Sequence, residues 1–143
     1  MTWVVDASVA VKWFVEEARS MAARTVLASG KPIIAPDLIV AEVCNTAWKK
    51  ARRGEISWAQ AEALVQALPL SFEKLVETAP LAPRALELAR QFDHPAYDCF
   101  YLALADSASA TLVTDDARVV ELARAARRSK LVKTLAALET RGG

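Results

Sequence analysis

Residues 3–11 read WVVDASVAV: an apolar run suited to a short buried strand, an aspartate, and then the spacing of a helix. A strand running straight into a helix opens a parallel α/β unit, in which ligands gather beyond the C-terminal ends of the strands. Asp6 stands at that end. The pattern returns at residues 111–127, where Thr111 to Val113 reads as a buried strand, Asp115 and Asp116 follow, and Ala117 to Arg127 reads as a helix. An ionised carboxylate within apolar sequence is costly unless it shifts its pKa, finds a cation or binds a metal.

Working outward, Ala7 to about Glu17 and a further stretch to Ala28 have helical spacing, and the Gly30-Lys31-Pro32 break introduces a strand at Ile33 to Ala35. Pro36-Asp37 opens a helix to Arg53, ended by Gly54, and Ser57 caps another through Leu68. Residues 70–77 alternate weakly, as a strand would. Pro80 and Pro83 introduce a helix to about Phe92, and His94-Pro95 starts the most apolar helix, through about Ser107. Leu131 to Leu135 reads as the last strand, and the tail is expected to fray. Strands separated by helices imply parallel strands with right-handed crossovers, and no repeat or linker interrupts them.

The chain has 143 residues, the size of one domain. Its hydrophobic fraction of 54% and positive mean hydropathy predict apolar surface covered by a second chain, a homodimer or another partner. The net charge of +1 alone gives no support for nucleic-acid binding. Its distribution is more telling: Lys49, Lys50, Arg52 and Arg53 form one basic cluster, and Arg124, Arg127, Arg128, Lys130 and Lys133 form another. Such patches can track phosphates, or simply complement helix ends. Cys44 and Cys99 read as reduced core thiols, and with His94 as the single histidine a Cys/His zinc site lacks ligands. Nowhere do roughly 18 apolar residues run together, so no membrane segment is expected and the chain reads as cytoplasmic.

Two further acids share the embedding of Asp6 and Asp116: Glu42 in LIVAEVCN and Asp98 in AYDCFYLALA, whose helix is apolar nearly all round. Three or four converging acids point to a divalent ion. Asp6 also suits an N-cap. Glu42, Asn45, Lys49 and Arg52 share one helical stripe, which either faces solvent or brings acid and amide to a site and carries bases outward along an RNA path. Asp115 and Asp116 are adjacent, so one faces the ion and the other caps the next helix; spacing leaves open which. Ser8 and Thr114 place hydroxyls beside the acids, suited to orienting a ligand or to capping. His94 reads as a helix-start residue, the four Trp as core or interface, and the remaining acids as solvated surface.

In this order, VVDASV, PDLIVAEVCN, HPAYDCFYLALA and LVTDDARV resemble the PIN-domain ribonucleases, specifically the VapC-type toxins of bacterial toxin-antitoxin pairs, and the likeness covers nearly all of residues 1–143. Each acid alone is a weak signal; the ordered set is specific. The resemblance implies a three-layer α/β domain over the whole chain 1–143, with a central five-stranded parallel sheet of order 3-2-1-4-5 flanked by helices. It implies that Asp6, Glu42, Asp98 and Asp116 are the catalytic and metal-binding acids, with Ser8, Asn45 and Thr114 in support. Thr114-Asp115-Asp116 is similar to the family's Thr-x-Asp, which assigns Asp116 to the metal and leaves Asp115, an extra acid, to cap the helix at Ala117.

The implied activity is a metal-dependent endoribonuclease toxin, hydrolysing RNA to 5′-phosphate and 3′-hydroxyl ends and neutralised by a cognate VapB-like antitoxin laid along its groove. Hard oxygen donors select Mg²⁺ or Mn²⁺, which acidify water and neutralise phosphate charge. Glu42 would be a ligand or the base that orients the attacking water. No persuasive Ser-His-Asp or Cys-His set competes. A PIN fold kept only for binding RNA or protein is opposed by the intact acid set. A receiver-type signalling domain needs an acidic pair after the first strand, where Ala7 and Ser8 follow Asp6.

Overall fold

The computed structural model describes residues 1–141. Five parallel strands, β1 (Trp3–Val5), β2 (Ile33–Pro36), β3 (Lys74–Val76), β4 (Thr111–Thr114) and β5 (Val132–Thr134), form one sheet of order β3-β2-β1-β4-β5. The most apolar runs, β1, β2 and β4, take the centre and the mixed runs β3 and β5 take the edges. Val5 pairs with Val113, so the next residues, Asp6 just beyond β1 and Thr114 at the end of β4, lie side by side. The C-terminal ends at which a ligand is expected are thus those of β1, the middle strand, and its neighbour β4.

Among the described residues eight α-helices flank the sheet: α1 (Ala7–Ala10), α2 (Ser20–Leu27), α3 (Leu38–Arg52), α4 (Trp58–Ala67), α5 (Ala82–Phe92), α6 (Ala96–Ser107), α7 (Ala117–Ala125) and α8 (Leu135–Arg141). Helix α3 buries Ile39, Val43, Ala47 and Ala51 at four-residue spacing and carries Lys49, Lys50 and Arg52 in its last turn, where they complement the dipole. Gly54, at φ 76°, supplies the left-handed residue after it. Ser57 and Gln60 form a reciprocal capping box that starts α4. Helix α6 is buried on most sides, packs across β1, β2 and β4, and carries α5 on its outer face. No described helix is long and apolar enough to cross a membrane.

Several expectations need correction. The helix predicted to reach Glu17 stops at Ala10, and a 3₁₀ turn at Val11–Trp13 follows. Val11 and Trp13 are both buried, and an α-helix would send residues two apart to opposite sides. Residues 70–77 hold a 3₁₀ turn (Leu68–Ser71) and only the short β3, because Pro69 favours the turn. Helix α7 ends at Ala125, with Arg127 left-handed at φ 57°. The tail predicted to fray forms α8 through Arg141, anchored by fully buried Leu135; Gly142 and Gly143 lie outside the described residues. Cys99 is a core thiol, pushed by burial to about 11, but Cys44 is exposed on α3. The expectation of core or interface for the four Trp needs no correction: Trp3 and Trp13 are buried, and Trp48 and Trp58 are exposed, where a partner could cover them.

Candidate active site

Asp6 is 5% exposed and sits between two hydroxyls. Ser8 Oγ donates to its Oδ1 at 2.5 Å, Thr114 Oγ1 donates to its Oδ2, and the Val9 amide donates to Oδ1 at 3.2 Å, so Asp6 also caps α1. Burial pushes its carboxyl up to about 6, against the lowering effect of those hydrogen bonds, and neighbouring Asp116 adds to the rise. Among the described residues no lysine, arginine or histidine forms an ion pair with it. It is a buried acid without a protein cation.

The loop after β4 is tied to the same hydroxyls. The Asp115 amide donates to Ser8 Oγ (3.0 Å) and the Asp116 amide to Thr114 Oγ1 (3.0 Å), so Ser8 and Thr114 link both chain crossings at the site. The adjacent aspartates then diverge, and the expected division of labour fails on one point. Asp116 is itself the cap of α7, its Oδ1 accepting from the Arg118 amide at 2.9 Å, while Asp115 turns the other way to Lys12 (3.4 Å) and Arg19 (3.6 Å). Lys12, only 9% exposed, is shared with Glu17 at 3.5 Å. A buried ammonium needs such partners, and no helix cap competes successfully with it for Asp115.

Glu42 on α3 and Asp98 on α6 complete the acidic set. Tyr101 Oη donates to Glu42 Oε1 at 2.5 Å, and His94 Nε2 lies 2.8 Å from Asp98 Oδ2. Burial raises the Glu42 pKa, the Tyr101 bond opposes that rise, and the Asp98 charge reinforces it. Burial and the Glu42, Asp6 and Asp98 charges hold the Tyr101 phenol well above its ordinary range, so it stays a donor. Partial burial pushes Asp116 up, but its bonds to Arg118 outweigh this and leave it lowered. Arg118 also feels Asp98. The four acids are thus electrostatically joined, Asp6 to Asp116 and Glu42 to Asp98, with Tyr101 between them. Asn45 lines a cleft in front of Glu42 but is exposed, and among the described residues it bonds to none of the acids.

A hard divalent cation suits this donor set, which is all oxygen and contains one buried carboxylate that lacks a counter-ion. The side chains do not yet form a cage: among the described residues no three acids, cysteines or histidines converge closely enough to hold an ion. The reason is local. Asp98 is held by His94, Asp116 by Arg118 and Glu42 by Tyr101.

A family model described as the PIN domain matches residues 3–127. The chain belongs to the PIN-domain family. It is similar to a protein named ribonuclease VapC3 from Pyrobaculum aerophilum, 32% identical over 123 residues, which cover 85% of this chain and 94% of that one. A second relative from the same organism, named exonuclease VapC9, is 35% identical over 79 residues, 55% of this chain and 58% of its own length. The crystal structure of PAE2754 from Pyrobaculum aerophilum superposes with a TM-score of 0.73 at 26% identity, covering 99% of this chain and 88% of that one. The structure of VapBC2 from Rickettsia felis, bound to a promoter DNA fragment, matches with a TM-score of 0.65 at 15% identity, covering 94% and 98%; that likeness concerns the fold alone. With these relatives the chain is a VapC-type PIN domain, and its sheet order is the one the resemblance implied.

Three residues of this PIN domain escaped the sequence reading. Tyr101 had a signal, since it lies three residues after Asp98 and so shares its helical face. His94 lies four residues before Asp98, the spacing of a helical pair, although it stands ahead of the helix itself. Arg118 gave none, because a basic residue in the first turn of a helix is ordinarily solvated.

Proposed function

We propose that this chain is a metal-dependent endoribonuclease toxin, acting as one domain over residues 1–143 in the cytoplasm and restrained by a VapB-like antitoxin. The observation that carries the reading is Asp6, buried without a protein cation where β1 and β4 meet and coupled to a second carboxylate. The likeness to ribonuclease VapC3 over 94% of that protein supports RNA as the substrate.

Asp6, Asp98 and Asp116 would hold Mg²⁺ or Mn²⁺, directly or through water, with Glu42 as a further ligand or as the base. When bound, such an ion acidifies water and offsets phosphate charge. The protein's own contribution is orientation. Ser8 and Thr114 fix both oxygens of Asp6, so its carboxylate meets a ligand without first losing rotamer freedom. Tyr101 fixes Glu42, whose raised pKa suits it to accept a proton from the attacking water. Asp98 and Asp116 would turn from His94 and Arg118 to the ion, leaving that imidazole and guanidinium beside the phosphate.

Partner binding draws support from the surface. An apolar groove of about 370 Å³ between α3 and α4 exposes Trp48 and Trp58 beside Cys44 and Val65. Exposed aromatics of this kind suit a second protein chain, an antitoxin segment or a second copy in a homodimer.

Because one relative is named an exonuclease, the deciding substrate is a covalently closed single-stranded RNA circle, which offers no ends. With Mg²⁺ or Mn²⁺ the protein should open it to a linear product bearing 5′-phosphate and 3′-hydroxyl ends, and EDTA should stop the reaction. A circle left intact while linear RNA is digested would make the enzyme an exonuclease. Cutting undiminished by complete chelation would end the metal reading.

A further inference from the structure

The cleft in front of Glu42 has a volume of about 520 Å³, and its lining includes Asn45, Lys49, Tyr97 and Arg118. Tyr97 is the odd member. It lies in the first turn of α6, one residue before Asp98, and 67% of it faces solvent. Among the described residues its ring meets no other aromatic ring and no cation, and its hydroxyl makes no hydrogen bond. A lone exposed aromatic is ordinary on a protein surface. This one shares a single cleft with an acid of the candidate active site and with two basic side chains.

Lys49 has no carboxylate partner among the described residues, and Arg118, 75% exposed at its side chain, is paired only with Asp116. Proteins that hold single-stranded nucleic acid combine cations along the backbone path with aromatic faces on which bases stack. A phosphodiester at the acids would carry its neighbouring nucleotide into this cleft. We propose that Tyr97 is a stacking platform for the base next to the scissile phosphate, with Lys49 and Arg118 taking the adjoining phosphates. The proposal rests on the ribonuclease reading and adds to it a residue that binds substrate without touching the reacting atoms. Stacking ignores hydrogen-bonding edges, so the subsite distinguishes bases only weakly, through stacking strength.

The test measures binding of a labelled single-stranded oligoribonucleotide by fluorescence anisotropy, in an Asp6→Asn background so that the RNA survives. Adding Tyr97→Ala should raise Kd about thirtyfold, the middle of the range expected for one stacked base. Tyr97→Phe should bind as the Tyr97 protein does, because the ring and not the hydroxyl carries the contact. A single abasic nucleotide, moved along the strand, should at one position cost the Tyr97 protein that same factor and cost Tyr97→Ala nothing more. Equal affinities for Tyr97 and Tyr97→Ala proteins, or an abasic penalty that persists in Tyr97→Ala, would overturn the stacking role while leaving the nuclease intact. A Tyr97 protein that neither binds nor, with Asp6 restored, cleaves RNA would overturn both.

Discussion

Tyr101 Oη donates a 2.5 Å hydrogen bond to Glu42 Oε1, joining α6 to α3 across 59 residues of sequence. The phenol is buried and remains protonated, so the bond always runs toward the carboxylate and favours its ionised form. Removing it in Tyr101→Phe should raise the Glu42 pKa further. The acid limb of the kcat/KM profile should then move to higher pH, and stability should fall by about 1 kcal/mol. Cleavage rates and thermal melts across pH check both parts; an unmoved acid limb would show that Glu42 does not titrate in the reaction.

Asp6 gives a stability prediction of the opposite sign to an ion-paired acid. Its folded pKa of about 6 lies above the ordinary 3.8, so between these values the unfolded chain has released a proton that the folded chain keeps. Stability from this group therefore falls as pH rises through that window and is level above it, a cost of about 3 kcal/mol at neutral pH. In EDTA, the stability of the parent relative to Asp6→Asn should decline from pH 4 to pH 7. Added Mn²⁺ should raise the parent melt at pH 7 and leave the variant unmoved. Equal Mn²⁺ shifts would count against Asp6 as a ligand.

The neighbouring aspartates separate by chemistry. Asp116→Asn keeps a side chain suited to capping α7, so it should melt near the parent yet lose cleavage by about 100-fold or more. Asp115→Ala deprives buried Lys12 of one of its two carboxylates and should cost about 2 kcal/mol while most cleavage survives. Paired melts and rates decide this, and the reverse pattern would exchange the two assignments.

Arg118 competes with any cation for Asp116. Arg118→Ala should tighten Mn²⁺ binding in the absence of RNA and, in the Asp6→Asn background that spares the RNA, weaken RNA binding. Calorimetry reads the first and anisotropy the second, and a loss of Mn²⁺ affinity would contradict the competition.

Much of this site was legible because its acids interrupt apolar runs: Asp6 after WVV and Asp98 within AYDCFYLALA stand out in the sequence itself. Parallel pairing then brings Asp6 and Thr114 together, 108 residues apart, as strand-helix alternation requires. The missing parts are those decided by side-chain direction. Nothing in the order Thr114-Asp115-Asp116 reveals that Asp115 turns to Lys12, because Lys12 is buried only through a 3₁₀ turn that interrupts a helical pattern. Cys44 reads as core by composition, and its exposure follows from which face of α3 meets the sheet. Helix α8 was missed because its anchor, Leu135, read as the end of a strand.

Asp6, Asp98 and Asp116 are proposed to hold a divalent cation together, with Glu42 as a further ligand or as the base. Calorimetric titration of Mn²⁺ into the parent, Asp6→Asn, Glu42→Gln, Asp98→Asn and Asp116→Asn proteins at pH 7.5 tests this most directly. Saturable binding to the parent is expected, weakened in Asp98→Asn and Asp116→Asn and most in Asp6→Asn, whose carboxylate is the most buried of the four and lacks a protein cation, while Glu42→Gln loses affinity if Glu42 is a ligand and keeps it if Glu42 is the base. A parent that binds no Mn²⁺, or an Asp6→Asn protein that binds it as tightly as the parent, would contradict the account.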